Sequence, residues 1–83
     1  MVRAALRQFE EALQLDPGFA LAHAGVAKAC GMIYEYREQQ ARWIEKGVAA
    51  CDRALALDPQ LAETLAARAW LFYAQEKYEE AIE

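Results

Sequence analysis

The chain has 83 residues, a net charge of −4 and a pI near 5.0. That length allows one domain, whose single core is marginal without some staple. The acidic balance argues against nucleic acid, which needs a basic surface to neutralise phosphates, and no apolar run is long and pure enough to span a membrane.

Alanine is the commonest residue, and Gly/Pro punctuation is sparse outside two Asp-Pro turns, so the chain reads as all-α. Residues 2 to 15 carry apolar groups at helical spacing, with Ala5, Phe9, Ala12 and Leu13 on one face. Arg7 and Glu11, four apart, are placed to pair on the other side. This helix stops at Leu15 or Asp16, because Pro17 pushes the residue before it out of the helical region. A second helix is expected from about 19 to 37, with the stripe His23, Val26, Ala27, Cys30, Ile33 and Tyr34. Gly25 and Gly31 weaken it by roughly 1 kcal/mol each relative to alanine, which implies close approach of a neighbour. The polar stretch from Tyr36 to Gln40 holds a reversal or, alternatively, a bend in one longer helix.

The third helix is expected from about 41 to 57, with the stripe Ile44, Gly47, Val48, Cys51, Ala54 and Leu55. Glu38 and Arg42 are spaced to pair if it starts early. After Asp58-Pro59 a fourth helix covers about 61 to 75, with Leu65, Ala69 and Phe72 as its inner face. A polar turn at Glu76-Lys77 then leads into a fifth helix opened by Tyr78, Ala81 and Ile82.

One segment occurs twice. Ala54-Leu55-Ala56-Leu57-Asp58-Pro59 has an earlier near-copy, Ala12-Leu13-Gln14-Leu15-Asp16-Pro17. Around these copies, Ala5, Phe9, Ala12, Pro17 and Gly47, Cys51, Ala54, Pro59 follow one pattern, while His23, Val26, Ala27, Cys30 and Leu65, Arg68, Ala69, Phe72 follow another. Together they resemble the tetratricopeptide repeat family, whose unit is a helical hairpin of about 34 residues. The resemblance implies antiparallel helix-turn-helix repeats in a right-handed superhelix, with about four full helices and the start of a fifth. It divides one domain, 1–83, into the second helix of an incomplete repeat (2–16), a middle repeat (18–59) and an incomplete last repeat (60–83).

Three departures from the family stand out. Pro17 and Pro59 lie 42 positions apart (59 − 17). The excess of about eight residues is close to two helical turns at about 3.6 residues each. One extra turn per helix keeps both stripes in phase and predicts a taller middle hairpin, its tip around Tyr34 to Trp43 protruding. His23 and Cys51 stand where the family has large apolar groups, and Arg68 occupies an apolar position from which it snorkels outward. The chain begins and ends in second helices without polar caps, so it reads as a piece of a longer array with bare end faces that invite self-association.

Catalytic and cofactor chemistry finds little footing. Cys30 and Cys51 are single, His23 is the only histidine, and no metal-binding spacing occurs, so no metal and no cofactor are expected. Both cysteines read as buried small hydrophobes. A hairpin turning near residue 38 sets Cys30 opposite about position 47, too far from Cys51 for a disulfide. The chain has no serine, and His23 lies two turns, roughly 10 Å, from Cys30. No enzyme activity is therefore expected. With no export signal at the start, the expected compartment is the cytoplasm.

By the resemblance, first helices line a concave groove that binds a segment of a partner protein. Leu21, Ala24, Lys28, Gly31 and Met32 of one helix would then face Glu63, Ala66, Trp70, Tyr73 and Ala74 of the other. Within that set Lys28, Met32, Glu63, Trp70 and Tyr73 are the candidate partner-binding residues, Trp70 and Tyr73 as aromatic anchors and Lys28 as the cation that selects an acidic group. Trp70 has a second reading, as a ring awaiting a further repeat. Tyr34, Tyr36, Arg37, Arg42 and Trp43 form either a second contact surface or, the favoured reading, a cap over the hairpin's own seam. The function expected is an interaction scaffold; the alternative is a self-associating or spacer segment, a homo-oligomer formed through the uncapped end helices.

Overall fold

A computed structural model of the chain describes the backbone of residues 2–37 and 39–82 and the side chains of residues 3–37 and 39–76. Four helices are present: α1 (Val2–Leu15), α2 (Ala20–Tyr36), α3 (Ala41–Leu57) and α4 (Ala62–Ile82). The connections 16–19, 37–40 and 58–61 are short, so successive helices run antiparallel. α2 is the central element and packs against all three others, and α4 lies against both α2 and α3.

The two Asp-Pro turns have the same construction, bond for bond. Asp16 N–H donates to Ala12 O, and Asp58 N–H to Ala54 O, closing α1 and α3. Phe19 N–H donates to Asp16 O, and Leu61 N–H to Asp58 O, tightening each turn. The aspartate side chains then accept from backbone N–H groups two residues on, Gly18 at 3.1 Å and Gln60 at 3.2 Å. This is the local bonding that suits aspartate to turns. Proline's fixed φ and missing N–H stop either helix from continuing.

Packing follows a large-into-small rule. α2 buries almost its whole circumference, including the expected stripe His23, Val26, Ala27, Cys30, Ile33 and Tyr34. Gly25 lies under the Phe9 ring, whose atoms would stand 2.6 Å from a Cβ placed there. Gly47 receives Leu71 in the same way, at 2.8 Å, and faces the Cβ of Cys30. The glycines let helices approach where any side chain would force them apart. On α3 the expected Ile44, Gly47, Cys51 and Ala54 are buried, with Val48 and Leu55 half-buried. On α1 the deepest residue is Leu6, with Phe9 and Leu13 packed beside the core.

Three expectations need correction. Glu76-Lys77 is not a turn: α4 runs through to Ile82, so there are four helices and no fifth among the described residues. Glu and Lys are good helix formers, and no glycine, proline or cap interrupts there. The buried face of α4 is Thr64, Ala67, Leu71 and Ala74; Leu65 and Phe72 are 51% and 46% exposed. From Leu65 to Ala74 every α4 residue except Arg68 is apolar, and the space over Gly47 accepts Leu71 rather than Phe72. At the hairpin tip Tyr34 and Trp43 are buried, in line with the favoured cap reading, and the exposed part is confined to 35–37, 39, 40 and 42. Arg7 and Glu11 form no ion pair; Glu10 instead meets Lys46 of α3 at 2.9 Å. Both ends of that bridge are well exposed, so it contributes at most about 1 kcal/mol. The Glu38–Arg42 pairing and the contacts of Tyr78, Ala81 and Ile82 fall outside the described side chains.

Thr64 is fully buried, and its hydroxyl has no hydrogen-bond partner. Leaving such a group unpaired costs about 1–3 kcal/mol. Burial also distinguishes neighbouring positions on α4. Leu71→Ala lowers the unfolding free energy by about 2–5 kcal/mol, whereas Phe72→Ala lowers it by less than about 1.5 kcal/mol, since half of that ring is already in water. Urea denaturation of the two variants checks the rotation of α4.

Candidate functional site

α2 and α4 lie side by side, and a shallow cleft of about 140 Å³ opens between them. Lys28, Glu63, Ala66, Ala67 and Trp70 line it. The indole of Trp70 lies against α2 at Gly31, its Cδ2 3.7 Å from where a Cβ would stand, an ordinary contact distance. Trp70 is half-buried, its ring shared between α2 and the cleft. Lys28 and Glu63 are exposed and form no ion pair with each other or with any described residue. The cleft thus offers one aromatic face, one cation and one anion, all free to meet a ligand.

Of the groove residues expected from sequence, Lys28, Glu63, Ala66 and Trp70 come together here. Met32 is half-buried, Tyr73 is exposed, and Ala24, Gly31 and Ala74 are buried, all outside the lining of this cleft. Leu21 is exposed on the first turn of α2. Sequence reasoning missed Ala67, although its spacing of four from Glu63 places it on the same face.

A second, more open cleft of about 230 Å³ lies between the first Asp-Pro turn and the end of α3, lined by Pro17, His23, Arg53, Ala56 and Leu57. His23 is the buried wall of this cleft. Its Nε2–H donates to the Pro17 carbonyl at 2.9 Å, tying α2 back to the turn that precedes it. Arg53 is exposed and makes no ion pair with a described residue. No periodic signal in the sequence marks this cleft, because its parts come from three separate segments.

At the opposite end of the helices, Trp43 is 8% exposed and has two guanidinium groups over its ring, Arg3 of α1 at 5.3 Å and Arg42 at 5.0 Å from the centroid. Such stacking contributes about 0.5–1 kcal/mol per cation at exposed sites. Tyr34 is buried beside the core, and Tyr36 points into solvent. Arg68 lies 5.1 Å from the Phe72 ring on the outer face of α4. Among the described residues, no group of three or more His, Cys, Asp or Glu is placed to hold a metal ion, and no helix is long and apolar enough to cross a membrane.

Neither thiol is poised for chemistry. Cys30 and Cys51 are free and buried, and the neighbour of Cys30 across the hairpin is Gly47, as the turn position implies. Burial pushes the Cys30 thiol up to about 11, and burial also raises that of Cys51. Comparison with protein-family models, with curated proteins and with solved structures gives no match.

The raised thiols have a measurable consequence. In the unfolded chain a cysteine ionises near 8.5, whereas folded Cys30 stays protonated to about 11. The stability linked to it is full below the unfolded value and is lost as pH rises from there through about 11. A thiol reagent such as dithionitrobenzoate should label neither cysteine at pH 8 in the folded protein and both in urea, and the urea midpoint should fall as pH rises from 9 to 11.

Proposed function

We propose that the chain is a helical-repeat interaction module of the tetratricopeptide type, which binds a segment of a partner protein and catalyses nothing. The observation that carries this reading is the α2–α4 cleft, where Lys28, Glu63 and Trp70 line one surface. Three further features support it. The Asp-Pro turns recur with the same hydrogen bonds 42 positions apart (59 − 17). The buried faces recur as well: Ala22 and Ala29 of α2, like Thr64 and Leu71 of α4, stand at that same offset. Both thiols are held protonated, and the one imidazole is committed to a turn, which leaves no activated nucleophile among the described residues.

The partner segment would place an apolar side chain on the indole of Trp70 and an acidic group on Lys28, with Tyr73 extending the contact along α4. A half-buried aromatic ring loses little conformational freedom on binding, which is why such residues dominate affinity. Peptides selected from a displayed library against the folded chain provide the test. Trp70→Ala with Tyr73→Ala should weaken the selected peptides at least tenfold while the circular dichroism stays helical. Unchanged affinity would sink the reading.

A second reading, self-association, is favoured by the outer face of α4. Leu65, Ala69 and Phe72 stand 42 positions after His23, Ala27 and Cys30, which α2 buries, yet they lie exposed, with the Arg68 guanidinium over the Phe72 ring. If this face pairs between copies, the mass by light scattering rises with concentration and returns to that of one chain in Leu65→Lys/Phe72→Glu. A mass independent of concentration leaves the cleft as the functional surface.

A further inference from the structure

We propose that the cleft at the Asp-Pro end of the helices is a binding site for a small carboxylate carried on an apolar chain. It is separate from the α2–α4 cleft and shares no residue with it. Its walls divide by chemistry. Pro17, Ala56 and Leu57 supply apolar surface, with Leu57 48% exposed. Arg53 supplies a guanidinium with no ion partner among the described residues. The His23 ring closes the floor, held in place by the bond from Nε2–H to Pro17 O.

The lining itself carries one positive group, Arg53, although the chain as a whole carries −4. Two acidic residues lie in the nearby turns, Asp16 and Asp58, and neither lines the cleft. Each is bonded through Oδ1 to a backbone N–H of its own turn. The first turn of α2 and the last turn of α3 both meet here, and their opposite terminal partial charges largely cancel. The guanidinium is the one charged group among the lining residues, and its pull on an anion is local to the cleft. Arginine is the residue best shaped to take a carboxylate through two parallel hydrogen bonds. A volume of about 230 Å³ falls below the range of roughly 300–1,000 Å³ typical of drug-sized ligands, so the ligand is small. The openness of the cleft and its single cation make the affinity weak, on the order of millimolar.

Chemical-shift mapping of the ¹⁵N-labelled chain in about 0.15 M salt, where diffuse attraction is screened, provides the test. Hexanoate is the probe, hexanol its uncharged counterpart and inorganic phosphate its counterpart without an apolar body. Hexanoate should shift the amides of His23, Arg53, Ala56 and Leu57 saturably, and each control should do so at least fivefold more weakly. Arg53→Gln should weaken hexanoate at least fivefold, and Lys46→Gln, which removes a cation elsewhere on α3, should not. The proposal is overturned if hexanol matches hexanoate, if phosphate matches it, if Arg53→Gln leaves the titration unchanged, or if no saturable shift centres on these residues.

Discussion

Leu71 sits where three helices meet. Its methyl groups fill the space left by Gly47 on α3 and lie within van der Waals reach of Gly31 on α2. That contact sets how close α4 comes, which of its faces turns inward and where Trp70 lands beside Lys28. Gly25 under Phe9 does the same for α1. In a chain this small no deep core is available, so stability depends on close helix approach, and close approach depends on the positions that lack a side chain.

The sequence was most legible where one stripe had no competitor. On α2 and α3 the apolar positions, the closing Asp-Pro turns and the register that sets Cys30 opposite Gly47 can all be read from spacing, because a hairpin between two punctuated helices has one way to bury both stripes. α4 was not legible to the same degree. Leu65, Ala69 and Phe72 repeat the pattern that α2 buries, and periodicity alone selects them; burial selects Leu71, because the holes it fills lie on other helices. Trp43 and Tyr34 are buried at the tip, as a cap over the hairpin's own seam requires. Glu76-Lys77 looked like a turn by polarity, yet polarity without a breaker only marks an exposed helix surface.

The candidate site divides along the same line. Lys28, Glu63, Ala66 and Trp70 share a cleft because α2 and α4 run alongside each other, a relation that the repeat offset makes readable. The cleft around His23 and Arg53 depends on an imidazole reaching a carbonyl six residues back, and on an arginine from another helix. Neither relation leaves a period in the sequence. The two clefts lie at different levels of the bundle and differ in character, the first built around an indole with a charge of each sign, the second around one guanidinium and an apolar wall.

The arrangement of contacts around α2 bears on how the chain opens. α1 meets the bundle through α2, while its described links to α3 are made by long side chains, Glu10 to Lys46 and Arg3 to Trp43. Unzipping α1 leaves the interlock of α2, α3 and α4 in place. Amide exchange is then graded along the chain: α1 protons exchange through local opening, and those of α2, clasped on three sides, only when the whole bundle comes apart. Cooperativity in this protein is a property of its second helix rather than of its length.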